Sequence, residues 1–169
     1  DGDWQVGQKP AREYGLLARE AAKGIKLIDS EIKTILAGSS SPGQETFPSF
    51  DAEALDMAFE QVDYLSVHHY IGNYDGDSEN YLAKPIITNR YFEDIAATIA
   101  YIKRKHKSDH NVFVSFDEFN TWHSIIQEER FEKRWRIAPP LLVDTYTAED
   151  ALALGGMLLA VLRHSNIVK

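Results

Sequence analysis

Apolar residues recur along the chain at spacings that change repeatedly between helical and extended patterns. Leu16, Leu17, Ala21, Ile25 and Ile28 repeat every three or four positions and predict a helix from Arg12 to about Ile28. The same spacing predicts a second helix beginning at Asp51 and a third ending in the basic run 103–107, a composition that suits a helix C-terminus. A last helix is expected over 151–162, after the capping-box sequence 147–150.

Short runs rich in β-branched and aromatic residues lie between these predicted helices. They predict strands over 33–37, 63–68 and 111–116, and the start of a fourth at 166–168, whereas the stretch after residue 71 is interpreted as a long polar loop. Strand, loop and helix in this order imply right-handed crossovers and a parallel sheet with helices outside. The predicted fold class is therefore α/β.

The size of the chain bounds its domain organisation. Its 169 residues, with 44% hydrophobic and 26% charged residues, are typical of one globular domain. A complete (β/α)8 barrel needs ~250 residues, whereas only three clear strands and part of a fourth are predicted here. A piece of a larger domain is the favoured interpretation.

Charge and composition narrow the classes of partner. A formal net charge of -8 disfavours nucleic acid and anionic membranes as partners, because binding to either requires clustered cationic side chains. The longest apolar stretch, 151–162, is too short for a bilayer span and is interpreted as a buried helix, and no export signal is visible. The absence of cysteine excludes disulfides and thiolate metal sites but leaves the compartment open.

The segment 113–122 carries the strongest chemical signal, because an apolar strand pattern ends in Asp117, Glu118, Asn120 and Trp122. Parallel α/β folds place their chemistry at the carboxyl ends of strands, which makes Glu118 the first candidate for catalysis. An indole ring can pack on a sugar face, and an amide both donates to and accepts from hydroxyls. The alternative is a solvated strand end without function.

Other chemistries have weaker support. His68, His69, Asp117 and Glu118 could in principle hold a metal for hydrolysis, but neighbouring residues of a strand point to opposite faces, so no metal site is predicted. The acidic run 75–79 lacks the ligand order of an EF-hand calcium loop. Neither a phosphate-binding glycine loop nor a Gly-x-Ser-x-Gly motif is present.

Five segments, in order, resemble glycoside hydrolase family 51, whose main activity is that of an α-L-arabinofuranosidase. They are Asp1-Gly2-Asp3-Trp4-Gln5-Val6-Gly7, Ala37-Gly38-Ser39-Ser40, Asp63-Tyr64-Leu65-Ser66-Val67-His68-His69-Tyr70, Ser115-Phe116-Asp117-Glu118-Phe119-Asn120-Thr121-Trp122 and Ala138-Pro139-Pro140-Leu141-Leu142. The resemblance covers essentially the whole chain.

The resemblance implies the C-terminal part of a (β/α)8 TIM barrel, from about strand 5 to the start of strand 8, without the β-sandwich domain that follows in the family. It implies a retaining glycosidase with Glu118 as the nucleophile. The acid/base residue is expected just upstream of residue 1, in a Gly-Asn-Glu motif. Asp1 and Asp3 match flanking positions and are not candidates for that role.

The resemblance also assigns roles to residues around the nucleophile. Tyr70 matches a tyrosine that orients the nucleophile, and Trp122 matches an aromatic residue beside the sugar. His68 shares strand parity with Tyr70 and is expected in the pocket, while Asn120 and Asn73 are candidate substrate-binding residues. Phe119 departs from the tryptophan of many members.

The expected partners are arabinose-containing oligosaccharides or polysaccharides, with no cofactor. Family resemblance implies a cytoplasmic homo-oligomer, commonly a hexamer, with secretion as the alternative compartment. A second hypothesis is a catalytically silent carbohydrate-binding fragment, because the expected acid/base residue is not among the 169 residues.

Overall fold

The computed structural model describes residues 5–122, 137 and 146–169. Within them, three parallel strands lie side by side in chain order: β1 (Ile35–Ala37), β2 (Tyr64–Ile71) and β3 (Phe113–Thr121). Val168 forms a parallel bridge with Val114 of β3, so the predicted fourth strand is present as a single bridge in the fourth position. The predicted α/β class with a parallel sheet is confirmed.

The helices are α1 (Ala11–Ile28), α2 (Ser49–Ala58), α3 (Ser78–Ala83), α4 (Pro85–His106) and α5 (Ala148–Arg163). Helix α1 packs on α2, and α4 packs on both α2 and α5. The predicted helices are confirmed, including the capping box, in which Thr147 and Asp150 bond reciprocally. The prediction of an unbroken polar loop after β2 is wrong, because the Asp77 carboxylate caps the short helix α3.

The two faces of the sheet differ in chemistry. On one face, Leu65, Val67 and Val114 are buried among side chains of the helices. The core continues through Phe92 of α4, whose ring meets Phe116 edge to face at a centroid distance of 4.9 Å. Because side chains alternate along a strand, the opposite face of β2 presents a different set of residues, and that set is polar.

Helix α5 is only partly buried, which corrects the prediction of a buried helix. Ala153, Met157 and Ala160 face the core, whereas Leu152 and Leu162 are 65% and 68% exposed. Apolar residues occur around most of this helix, so periodicity could not distinguish its inner face. Among the described residues, no helix combines the length and apolar character needed to cross a bilayer.

Two adjacent glycines of α5 give a matched stability prediction. A Cβ at Gly156 would overlap the Pro85 ring at 2.7–2.8 Å, whereas one at Gly155 would meet nothing within 4 Å. We expect Gly156→Ala to destabilise the chain by about 1–3 kcal/mol through overpacking. Gly155→Ala should stabilise it by about 0.5–1 kcal/mol through helix propensity. Urea unfolding of both variants measures the difference, and equal effects would contradict the packing of α5 on α4.

Candidate active site

A β-bulge in β3 sets the direction of the acid pair. The pairing of β2 with β3 skips Asp117, because Phe116 and Glu118 pair with consecutive residues of β2. In a regular strand, Glu118 would point to the same face as the buried Phe116. The bulge reverses the alternation, so that Phe119 stacks on Phe116 with ring centroids 4.5 Å apart. Asp117 and Glu118 consequently both face the polar side of the sheet, where each approaches a residue of β2.

The strand boundaries differ from the prediction in a way that matters for the site. Strand β3 continues five residues beyond the expected end at Phe116, and β2 continues three residues beyond His68. The acid pair therefore lies within a paired strand rather than at its terminus. Hydrogen bonding to the neighbouring strand supports Glu118 more rigidly than a loop could.

Glu118 shares a cavity of about 670 Å³ with His68, Tyr70 and Trp122. The Tyr70 hydroxyl donates a hydrogen bond to the Glu118 carboxylate, and burial together with that charge raises the pKa of Tyr70. His68 Nδ1 lies 3.5 Å from Glu118 Oε2. The structure thus places four of the six predicted site residues around one cavity.

The position of Trp122 depends on its backbone and on Tyr70. Its backbone N–H donates to the carbonyl of Ile71 at 2.6 Å, which continues the pairing beyond the end of β3. Its ring lies against Tyr70 with centroids 5.1 Å apart and an interplanar angle of 67°. Gly72 passes so close that a Cβ there would overlap the Trp122 carbonyl oxygen. An apolar ring is therefore fixed beside the carboxylate, as contact with a sugar face requires.

The two predicted asparagines occupy other places. Asn120 lines a smaller adjoining cavity of about 180 Å³, together with Trp122 and Tyr146. Asn73 lies outside both cavities, and its Nδ2 donates to Glu149 of α5 at 3.4 Å. Asn120 is thus beside the nucleophile candidate, whereas Asn73 connects the loop after β2 to α5.

The sequence interpretation missed a polar cluster beside Glu118. Asp117 accepts hydrogen bonds from Ser66 at 2.8 Å and from Ser115 at 3.0 Å, and it contacts His68 at 3.1 Å. Ser66 and Ser115 pair directly in the register of β2 and β3. The sequence contained one signal for this cluster, namely a serine in each of two predicted strands. The signal was not sufficient, because Asp117 and Glu118 lie on the same face of the sheet only when the strand contains the bulge.

The adjacent histidines of β2 point in opposite directions, as strand parity predicts. His69 is 5% exposed on the helix side, where Nδ1 bonds to Thr88 Oγ1 at 2.9 Å. A metal site formed by both histidines and the acid pair is therefore ruled out by geometry. Across residues 5–122, 137 and 146–169, no group of three or more His, Asp or Glu side chains could hold a metal ion.

Two of the sequence segments that carry the family resemblance lie wholly or partly outside the described residues. Residues 1–4, including Asp1 and Asp3, belong to the first of them, and 138–142 form the last. The geometry of the site therefore rests on the three central segments, which come together at the carboxyl ends of β1, β2 and β3, and on residues 5–7 of the first segment, which also line the cavity.

Comparisons with known proteins find similar sequences along the whole length of this chain. Residues 117–169 match a family model described as "Alpha-L-arabinofuranosidase C-terminal domain". Two curated proteins named intracellular exo-alpha-(1->5)-L-arabinofuranosidase, from Acetivibrio thermocellus and Halalkalibacterium halodurans, are each 43% identical over 100% of this chain. The chain spans 34% of the length of each of these relatives.

Solved structures show the same similarity. A family 51 α-L-arabinofuranosidase from Bifidobacterium longum superposes with a TM-score of 0.90 at 26% identity, over 99% of this chain and 36% of that one. A GH51 α-L-arabinofuranosidase from Thermotoga petrophila gives a TM-score of 0.76 at 25% identity, over 99% and 30% of the two chains. The fold described above is thus that of about a third of these longer chains.

Proposed function

Because this chain belongs to the α-L-arabinofuranosidases of glycoside hydrolase family 51, we propose that it supplies the nucleophile of a retaining glycosidase site. The observation that carries the proposal is the placement of Glu118. The bulge turns this carboxylate into the cavity, Tyr70 donates to it, and the Trp122 ring lies beside it. No cofactor is needed for this chemistry.

The proposed reaction proceeds in two displacements. Glu118 attacks the anomeric carbon of a terminal α-L-arabinofuranosyl residue, and the glycosidic C–O bond breaks as a second carboxyl group protonates the leaving oxygen. Water, deprotonated by that same group, then cleaves the glycosyl ester and regenerates Glu118. The hydrogen bond from Tyr70 holds one carboxylate oxygen of the nucleophile and so fixes which oxygen attacks.

The acid/base residue of this scheme is proposed to lie upstream of residue 1, about 5 Å from Glu118 in the assembled site. Residues 5–9 line this cavity together with Ala37 and Gly38 at the end of β1, so the first described residues lie beside Glu118, which supports an upstream position for the second carboxyl group. In this proposal β1, β2, β3 and Val168 are strands 5 to 7 and the start of strand 8 of a (β/α)8 barrel. Their unbroken parallel order supports that assignment.

The proposed substrates are the terminal non-reducing arabinofuranosyl groups of arabinan, arabinoxylan or oligosaccharides derived from them. Relatives named exo-alpha-(1->5) and exo-alpha-(1->6) enzymes both match this chain, which supports the terminal mode of attack and leaves the linkage open. The word intracellular in several relatives' names supports a cytoplasmic protein. A homo-oligomer, commonly a hexamer, is proposed from family resemblance.

Trapping of the glycosyl–enzyme intermediate tests the proposal. The full-length protein is treated with a mechanism-based arabinofuranosyl inactivator, digested, and examined by mass spectrometry. The adduct is expected on the peptide that contains Glu118, because a retaining enzyme forms an ester with its nucleophile. An adduct confined to any other peptide would overturn the assignment of the nucleophile.

Activity of the 169-residue chain tests the position of the acid/base residue. Release of arabinose from an activated aryl arabinofuranoside is compared for this chain alone and for a version extended upstream through the expected Gly-Asn-Glu. Sustained turnover is expected only from the extended version, since the second displacement needs a general base. Equal turnover by both would remove the upstream residue from the mechanism.

A further inference from the structure

We propose that Asp117 is a positioning residue, which locks the His68 imidazole so that its Nδ1 side faces the nucleophile. The inference rests on the proposed function, because it concerns how Glu118 is held. It goes beyond that function by giving a role to the extra residue of the bulge and to two serine hydroxyls. Asp117 itself acts through His68 rather than on the substrate.

The hydrogen bonds around Asp117 determine where the His68 ring carries a proton. The Ser66 hydroxyl donates its single hydrogen to Asp117 Oδ1 at 2.8 Å. Its oxygen lies 3.1 Å from His68 Nε2 and can only accept there, since the hydroxyl hydrogen is already used. Asp117 Oδ1 is also 3.1 Å from Nε2, and a carboxylate likewise only accepts. Nε2 therefore carries a hydrogen, which is directed to the Ser66 oxygen with the Asp117 carboxylate in contact beside it.

Asp117 can hold the ring because both of its own oxygens are anchored. Ser66 of β2 donates to Oδ1, and Ser115 of β3 donates to Oδ2 at 3.0 Å. These serines pair with each other across the two strands, so the carboxylate spans the seam between them. A flip of the imidazole would exchange its nitrogen and carbon positions. The His68 ring has little freedom to flip, because its Nε2 contacts Ser66 of β2 and Asp117 of β3.

The fixed ring then presents its second nitrogen to the nucleophile. His68 Nδ1 lies 3.5 Å from Glu118 Oε2. Tyr70 donates to the same carboxylate. Glu118 is therefore contacted by both of the β2 side chains that line the cavity, His68 and Tyr70. Without the contacts at Nε2, the His68 ring would be free to move away from Glu118, and the carboxylate could then shift. A misplacement of a reacting group by about 1 Å can lower the rate ~10²-fold.

Paired substitutions at Asp117 in the full-length protein test this role. Asp117→Ala removes the anchor and is expected to lower kcat by roughly 10- to 100-fold, with KM within about 3-fold of its original value. Asp117→Asn keeps one accepting oxygen, while its amide N–H can donate to Ser115, so it should restore kcat to within about 5-fold. Asp94→Ala, at an exposed position of α4, is the matched acidic control and should leave kcat unchanged.

A spectroscopic readout separates positioning from a general loss of structure. Proton–nitrogen NMR correlations of the histidine side chains should show a slowly exchanging Nε2–H on His68 in the unsubstituted protein and in Asp117→Asn, but not in Asp117→Ala. Persistence of that signal in Asp117→Ala, or an unprotonated Nε2 in the parent, would refute the inference. If Asp117→Ala does not fold, Ser66→Ala replaces it, and unchanged exchange of Nε2–H there has the same meaning.

The two proposals fail in different ways. An inhibitor adduct on another peptide, together with the expected NMR behaviour of His68, would reject the assigned nucleophile and leave the Asp117 anchor intact. An adduct on Glu118, together with an unanchored His68 ring, would reject only the role of Asp117.

Discussion

Replacing Glu118 with alanine in the full-length protein is expected to lower kcat for an aryl arabinofuranoside by at least ~10³-fold, because the first displacement loses its nucleophile. The fold should survive, since this side chain is 57% exposed and faces the cavity rather than the core. Steady-state kinetics and the circular dichroism melting curve measure the two effects separately.

Chemical rescue sharpens this first prediction. The Glu118→Ala cavity leaves room for a small anionic nucleophile such as azide, which should restore part of the turnover and give a glycosyl azide of inverted configuration. Glu53→Ala, on the exposed side of α2, is the matched control and should retain full activity. Wild-type kcat in Glu118→Ala would eliminate this residue as the nucleophile.

Acidification from pH 7 to pH 4 is expected to cost the chain roughly 3 kcal/mol of unfolding free energy through His69 alone. Burial lowers the pKa of His69 from 6.5 to about 4. Between these values the unfolded chain binds a proton that the folded chain does not, so stability is complete above pH 6.5 and falls as the pH approaches 4. Urea unfolding at several pH values measures the slope.

Three aspartates with shifted pKa values contribute differently to the pH dependence of stability. Burial raises the pKa values of Asp56 and Asp63, but hydrogen bonds and neighbouring cationic side chains outweigh it and lower both pKa values from 3.8. Their contribution to the unfolding free energy is therefore lost only at pH values below the window in which His69 titrates. Burial raises the pKa of Asp51, despite hydrogen bonds from Ser39, so its contribution has the opposite sign.

Two variants therefore isolate the histidine. His69→Asn should flatten the dependence between pH 6.5 and 4, and Asp51→Asn should steepen it. A slope that does not change in His69→Asn would show that His69 titrates normally in the folded chain.

Local patterns predicted the helices well, because their signals are contained within a few turns. The Thr147–Asp150 capping box and the basic end of α4 are sequence-local and are confirmed. Helix α3 was missed because its six residues contain no amphipathic repeat and depend on a single cap at Asp77. The inner face of α5 was missed because its neighbours, rather than its own pattern, determine which apolar residues are buried.

The sequence by itself determined the α/β class and the order of the longer helices and strands, and it marked Glu118, Tyr70, His68 and Trp122 as candidate site residues. Apolar alternation is a property of the chain alone and predicted the strands without coordinates, whereas the role of Tyr70 came from the family resemblance. Only the tertiary structure decided that Asp117 is a bulged residue and that Glu118 therefore points into the cavity. The register between two strands is a pairwise property, set by hydrogen bonds between segments about 50 residues apart, and apolar alternation within one strand does not identify the residue that is left unpaired.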